Sequence, residues 1–319
     1  MDLAPGELGF IGILKESINI PKQSLRTFFF IAITFILPLS VAILGHSRFG
    51  LPLLDLVEIQ DSLRTRSDLT LFYLLLFGYP VIVFVFSLLS TAAVVFTVAS
   101  LNSFRAVSFI STLSAIPRVF KRLFITFLFV SFLMIIYNFI FFILLHFLIN
   151  FMFSVMDDIN MILFWVITFT IFFTLLFPIH TYVTSLWHLA SVVSVLEPVY
   201  GFKAMKKSKA LLQGKTKMAM ALVFCYLVLC LIIQGLFILT LVYGSLLIKI
   251  VVGGLLVVVL VILNMIGLLV QSVFYYVCKS YHHEGIDKSA LNEHLGGYVG
   301  EYVPLKGSNV QMESVQAAV

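Results

Sequence analysis

Six stretches of this chain contain no Asp, Glu, Lys or Arg, and they restrict its fold more than any other feature. They run 27–47, 69–104, 123–156, 159–196, 218–248 and 250–278, with lengths of 21, 36, 34, 38, 31 and 29 residues. A helix needs about 20 apolar residues to cross the hydrocarbon of a bilayer, so each stretch suffices for one span. Two spans within 36 or 38 residues would need a polar turn near the middle, and neither stretch has one. The stretches are continuously apolar rather than alternating, which argues against a β-barrel. The expected fold is all-α: a polytopic membrane bundle of six transmembrane helices over 27–278. A segment 1–26 precedes it and a tail 279–319 follows.

Composition points the same way. Charged residues make up 11% of the 319 positions, where about 25% is usual for a soluble domain. So few charges cannot cover a soluble fold of this size. Soluble enzyme, disordered chain and nucleic-acid-binding domain are thereby excluded as overall readings. The net charge of +5 belongs to the gaps between apolar stretches, where it orients a protein in a bilayer rather than binding nucleic acid. Sixteen Lys and Arg fall in 1–26, 105–122, 203–217 and 279–319, on the side of both termini, and four on the other. Positive residues are retained in the cytoplasm, so both termini are expected there, in the endomembrane system or the plasma membrane. The N-terminus, with acids before any base, is expected to be neither a secretory signal nor a transit peptide.

Three segments between or before the spans are expected to lie at the interface. Residues 7–20 place Phe10, Leu14 and Ile18 on one helical face before Pro21. Residues 102–118 and 198–217 each read as a basic interfacial helix between a helix exit and a re-entry. A shift of 94 residues lays Thr97–Leu101 over Ser191–Val195, Ser114 over Ser208 and Lys121 over Lys215, which suggests a weak internal repeat.

No stretch holds a charged side chain of the kind that ion-coupled carriers use as relays. His180, Thr184 and His188 share one helix face at i, i+4, i+8, a stripe that can line a ligand path or bond neighbouring helices. Pro38, Pro80 and Pro178 fall within the first, second and fourth stretches, where proline can kink a span. Asn138, Gln234, Asn264 and Gln271 are candidates for interhelical hydrogen bonds. Lys203, Lys206, Lys207 and Lys209 form a candidate contact with anionic lipid, with Glu197 the single acid nearby. Cys278, at the edge of the last span, is a candidate for palmitoylation. Tyr302 and Leu305 fit a tyrosine-based sorting signal in the tail. His282 and His283 are a weak metal signal, and the three cysteines, Cys225, Cys230 and Cys278, make neither a disulfide framework nor a metal motif. No catalytic constellation, metal site or cofactor motif is present: Asp157 and Asp158 are adjacent and do not face each other for acid–base work.

The segments MDLAPGELGF, ESINIPKQS and WHLASVVSVLEPVYGFKAMKKSKALLQGK, with the tail HLGGYVGEYVPLKGSNVQME, resemble a family of plant multi-pass membrane proteins without an established activity. The resemblance extends over nearly the whole chain. More distantly, the run from Glu197 to Lys215 is similar to bacterial membrane domains, including one attached to some glycerophosphodiester phosphodiesterases. The phosphodiesterase catalytic domain has no counterpart here, so the resemblance implies a helical membrane fold and no hydrolytic activity.

Two functions are therefore expected ahead of any enzyme. The first is a non-enzymatic scaffold that organises lipid, or a protein partner through the cytoplasmic tail. The second is a carrier or flippase-like protein for a lipid or apolar metabolite, motivated by the prolines and the His180–Thr184–His188 stripe.

Overall fold

The computed structural model describes residues 8–45, 66–102, 108–155 and 177–283, together with Val166, Ile167, Thr170 and Thr174. Among the described residues there are helices and the turns between them, and no strand. Six helices are long and apolar enough to cross a membrane. Asp157, Asp158 and residues 284–319, with Tyr302 and Leu305, lie outside the described residues.

Helix α1 (Phe10–Asn19) leads through a short 3-10 turn, Ile20–Gln23, into α2 (Leu25–Gly45). Within α2 the residues Ala32–Ile36 widen into a π-helical turn, and the Leu37 N–H bonds to the Ala32 carbonyl five residues earlier. The next residue is Pro38, which has no N–H to offer, so the wider turn reorganises the carbonyls that the proline leaves without their usual donors. Helix α3 spans Arg66–Asn102 and carries Pro80 in its interior. Helix α4 spans Phe109–Val155, 47 residues, which at 1.5 Å each is about 70 Å, roughly twice the hydrocarbon thickness. Helix α5 is Phe177–Leu196, with Pro178 as its second described residue. A short helix α6 (Phe202–Leu212) precedes the hairpin of α7 (Thr216–Tyr243) and α8 (Leu246–Tyr281).

Two expectations about the interfacial segments are corrected. The stretch before the third span is not a separate helix. It runs from Phe109 unbroken into the span, because nothing after Pro117 breaks the helix and proline is tolerated when neighbours satisfy the freed carbonyl. The stretch before the fifth span is a separate helix, α6, set off by a turn at 213–215. The expected repeat therefore does not extend to matching shapes: Ser114 is exposed, whereas Ser208 is buried and donates to the Leu186 carbonyl at 2.9 Å. Helix α1 forms over the first of the three segments. Its buried residues are Ile13 and Ser17, with Ile20 just beyond, while Ile18 is half exposed. Apolar side chains occur around most of α1, and its Ile13 face is buried where the helix packs against α8.

The main core gathers the C-terminal halves of α3, α5 and α8. Its buried small residues, Ala92, Ala93, Ala99 and Ala190, let the helices approach closely. Two glycines in left-handed backbone hold the α5–α6–α7 connection. Gly201 (φ +60) turns the chain into α6 and donates its N–H to Thr126 Oγ1 of α4 at 2.9 Å. At Gly214 (φ +82) a Cβ would come within 2.6 Å of the Tyr281 ring, which closes over the turn.

Candidate functional site

Helix α5 carries more Ser, Thr and His than a lipid-facing span can satisfy, so it is drawn into the middle of the bundle. Most of its hydroxyls bond back to their own helix. Thr181 donates to the Phe177 carbonyl at 2.8 Å, Ser185 to Thr181 at 2.7 Å and Ser191 to Trp187 at 2.9 Å. Thr184 is the exception: it is buried, and its Oγ1 has no hydrogen-bond partner. The indole Nε1 of Trp187 is also buried without a partner.

Both residues line a chamber of about 380 Å³ whose walls mix polar and apolar side chains, a volume within the usual range for ligand sites. The expected stripe of His180, Thr184 and His188 forms one wall. Helix α3 contributes Ser87, Ser90 and Thr91, α4 contributes Met134 and Asn138, and α8 contributes Asn264 and Gln271. The Tyr137 ring lies 5.9 Å from that of His180, and Phe127 meets Trp187 edge to face at 5.6 Å. Asn264 joins three helices at the chamber's edge: it accepts from the Tyr226 hydroxyl at 2.8 Å and donates to Ser40 of α2 at 2.9 Å. Gln271 is hydrogen-bonded to His188. Asn264 and Gln271 thus bond between helices as expected, whereas Asn138 donates to the Met134 carbonyl of its own helix. No carboxylate, Lys or Arg lines the chamber among the described residues. What the walls can do chemically is donate and accept hydrogen bonds to an uncharged polar group.

Behind α5 lies a second, apolar cleft of about 320 Å³, bounded by α1, α5, α7 and α8. His188, Tyr226, Gly267 and Gln271 line both cavities and form the wall between them. Tyr226 lies so near α8 that a Cβ on Gly267 would come within 3.0 Å of its ring.

Beyond the C-terminal end of α5 the chain gathers a charge cluster around Glu197, the single acid beside the lysines, whose pairing the sequence does not show. Glu197 is buried, accepts from Tyr275 at 2.6 Å, and pairs with Lys207 at 2.5 Å and Lys279 at 3.4 Å. Burial alone would raise its carboxyl pKa. The hydrogen bonds from Lys207 and Tyr275 and the charges of Lys279 and Lys207 outweigh burial and hold it below the ordinary value of 4.5. The signal was present in the sequence, since Glu197 is the single acid between Asp158 and Glu284.

This cluster corrects the basic face. Lys203, Lys206 and Lys209 are exposed along α6, but Lys207 turns inward to Glu197 and is not free for lipid. Cys278 is fully buried, so the expectation of palmitoylation there is corrected too: its sulfur has no surface on which to meet an acyl donor. His282 is engaged with the Leu211 carbonyl at 3.2 Å, which gives it a role in holding α8 to α6. No group of three or more His, Cys, Asp or Glu suited to a metal occurs among the described residues.

Over residues 1–315 the chain matches the model of a family described as a domain of unknown function, DUF8558. It belongs to that family. None of the curated proteins and none of the solved structures compared with it matches. The chamber's own chemistry is therefore the ground for a functional reading of this DUF8558 protein.

Proposed function

We propose that this protein binds a lipid with an uncharged, hydroxyl-bearing head group inside its bundle and carries that head group through the membrane. The observation that supports this most is the chamber's lining, in which ten of the twenty residues are Ser, Thr, Asn, Gln or His, and two of the lining residues, Thr184 and Trp187, carry a buried polar atom without a partner. A buried polar group without a partner costs free energy, about 1–3 kcal/mol by mutational measures, and a ligand hydroxyl would recover it once the side chain turns toward the chamber. A charged head group would find no counter-ion among the described lining residues. Binding and movement are favoured over catalysis, since nothing in that lining pairs an acid with a base.

The test is transbilayer movement of a monoglucosyl diacylglycerol in proteoliposomes, followed by the share of sugar that membrane-impermeant periodate reaches. Protein-dependent movement, lost in His180→Ala plus His188→Ala with folding intact, is the expected result. Movement no faster than in protein-free vesicles, for this lipid and for other uncharged glycolipids, would overturn the reading.

The exposed Lys203, Lys206 and Lys209 on α6 favour a second, compatible role in organising anionic lipid at the membrane surface. The sixteen-to-four distribution of Lys and Arg supports a cytoplasmic position for that surface and for both termini. Single cysteines at Asp157 and Ser308 are then expected to label from opposite sides of sealed vesicles, and labelling from one side would contradict the topology.

A further inference from the structure

We propose that the apolar cleft holds the hydrocarbon chain of the lipid whose head group enters the polar chamber, so that the two cavities are halves of one amphipathic site. This rests on the head-group reading above and adds where the chain goes. The cleft is walled by Leu14 of α1, Leu189 of α5, Leu222 and Val223 of α7, and Val270 and Phe274 of α8. Apolar walls of this kind gain packing contacts from an apolar occupant, which therefore stabilises the cleft. Its volume of about 320 Å³ equals roughly ten water-sized groups of about 30 Å³, the scale of a chain segment of about ten carbons.

The chamber and the cleft differ in chemistry yet share four lining residues. His188 and Gln271 pair across α5 and α8, and Tyr226 completes the wall over Gly267. Every one of these four residues lines both cavities, so a displaced Tyr226 ring joins the two spaces at the level where head group and chain must meet. The Tyr226 hydroxyl is tethered to Asn264, and Asn264 to Ser40. A head group that offers its own hydroxyls to Asn264 can replace that tether while the chain enters behind it. Helix α1, docked on α8, closes the cleft with Phe10 and Leu14. This gives the N-terminal helix a ligand-facing role that its amphipathic pattern alone does not reveal.

The experiment uses the full chain in nanodiscs and two alkyl glucosides, one carrying a photoreactive diazirine at the end of the chain and one carrying it on the sugar. Labelled peptides are mapped by mass spectrometry. Sugar labels are expected near Thr184 and Trp187, and chain-end labels near Phe10, Leu222 and Val223. Val223→Phe fills the cleft without touching the chamber, and is expected to lower chain-end labelling there roughly tenfold while leaving sugar labelling within about twofold. Sugar labels in the chamber with chain-end labels on the exposed face of α7, around Leu231 and Leu236, would overturn the chain assignment and leave the head-group reading standing. Sugar labels absent from the chamber would overturn both.

Discussion

Helices α5 and α7 are both membrane spans, yet the bundle treats them in opposite ways. Twelve of the 20 residues of α5 are buried, against three of the 28 in α7. The more buried helix is the more polar one. In water that would be a paradox, but lipid reverses the argument: hydrocarbon tolerates the Leu and Ile of α7, while the Ser, Thr and His of α5 find partners only inside the protein. Polar content in a span therefore marks the helix around which the others assemble, and here the same helix forms a wall of both cavities. Exposed Leu231, Ile232, Leu236 and Leu239 mark α7 as the lipid-facing counterpart.

The comparison can be broken most forcefully at the end of α5. Glu197→Ala leaves the buried end of Lys279 and the inward-turned Lys207 without their carboxylate, and a loss of about 3–5 kcal/mol is expected. Thermal unfolding in detergent reads this, and a change no larger than for a surface residue would show that the cluster does not hold α5, α6 and α8 together. The same group sets a pH dependence. Its folded pKa lies below the ordinary 4.5, so its stabilisation is complete above that value and is lost as pH falls through the folded pKa. Glu197→Gln is expected to flatten the acid limb of the stability profile, and an unchanged limb would argue that other carboxyls control it.

Truncation at matched leucines sharpens the contrast. Leu189→Ala, in the buried face of α5, is expected to cost about 2–5 kcal/mol, whereas Leu236→Ala on α7 should stay within about 0.5 kcal/mol. Equal costs would mean that α7 is buried in an assembly.

Charge removal on α6 has a smaller effect that reads out on membranes rather than on folding. Replacing Lys203, Lys206 and Lys209 with Gln is expected to weaken binding of the full chain's α6 surface to anionic vesicle lipid by about 1 kcal/mol per residue. Lys207→Gln should lower stability instead, because that lysine is already paired. If all four behave alike in lipid binding, Lys207 is not committed to Glu197.

The smallest effect on stability is the most informative about function. Thr184→Val removes a hydroxyl that has no partner, so stability is expected to hold or rise within about 1 kcal/mol, while retention of glucosyl lipid falls. A marked loss of stability would show that Thr184 bonds within the bundle after all.

Much of this was legible in the sequence because membrane physics acts on composition and length. Charge-free stretches announce six spans, and the i, i+4, i+8 spacing puts His180, Thr184 and His188 on one wall. What the sequence does not carry is which helices meet. Tyr226 and Gly267 were not singled out by their own spans, and they become part of the site only because α7 and α8 pack beside α5. Lys203 and Lys207 are equivalent as basic residues on one helix, and only the fold sets Lys207 beside Glu197. The long helix α4 concealed its own start, since the basic residues at 118–122 look like a boundary and lie within one continuous helix.

The most direct test of the central claim is a density map of the protein purified in its native lipid. The account predicts head-group density in the chamber within hydrogen-bonding distance of Thr184 Oγ1 and Trp187 Nε1. A chamber holding only ordered water, or closed by the collapse of α4 onto α5, would contradict it.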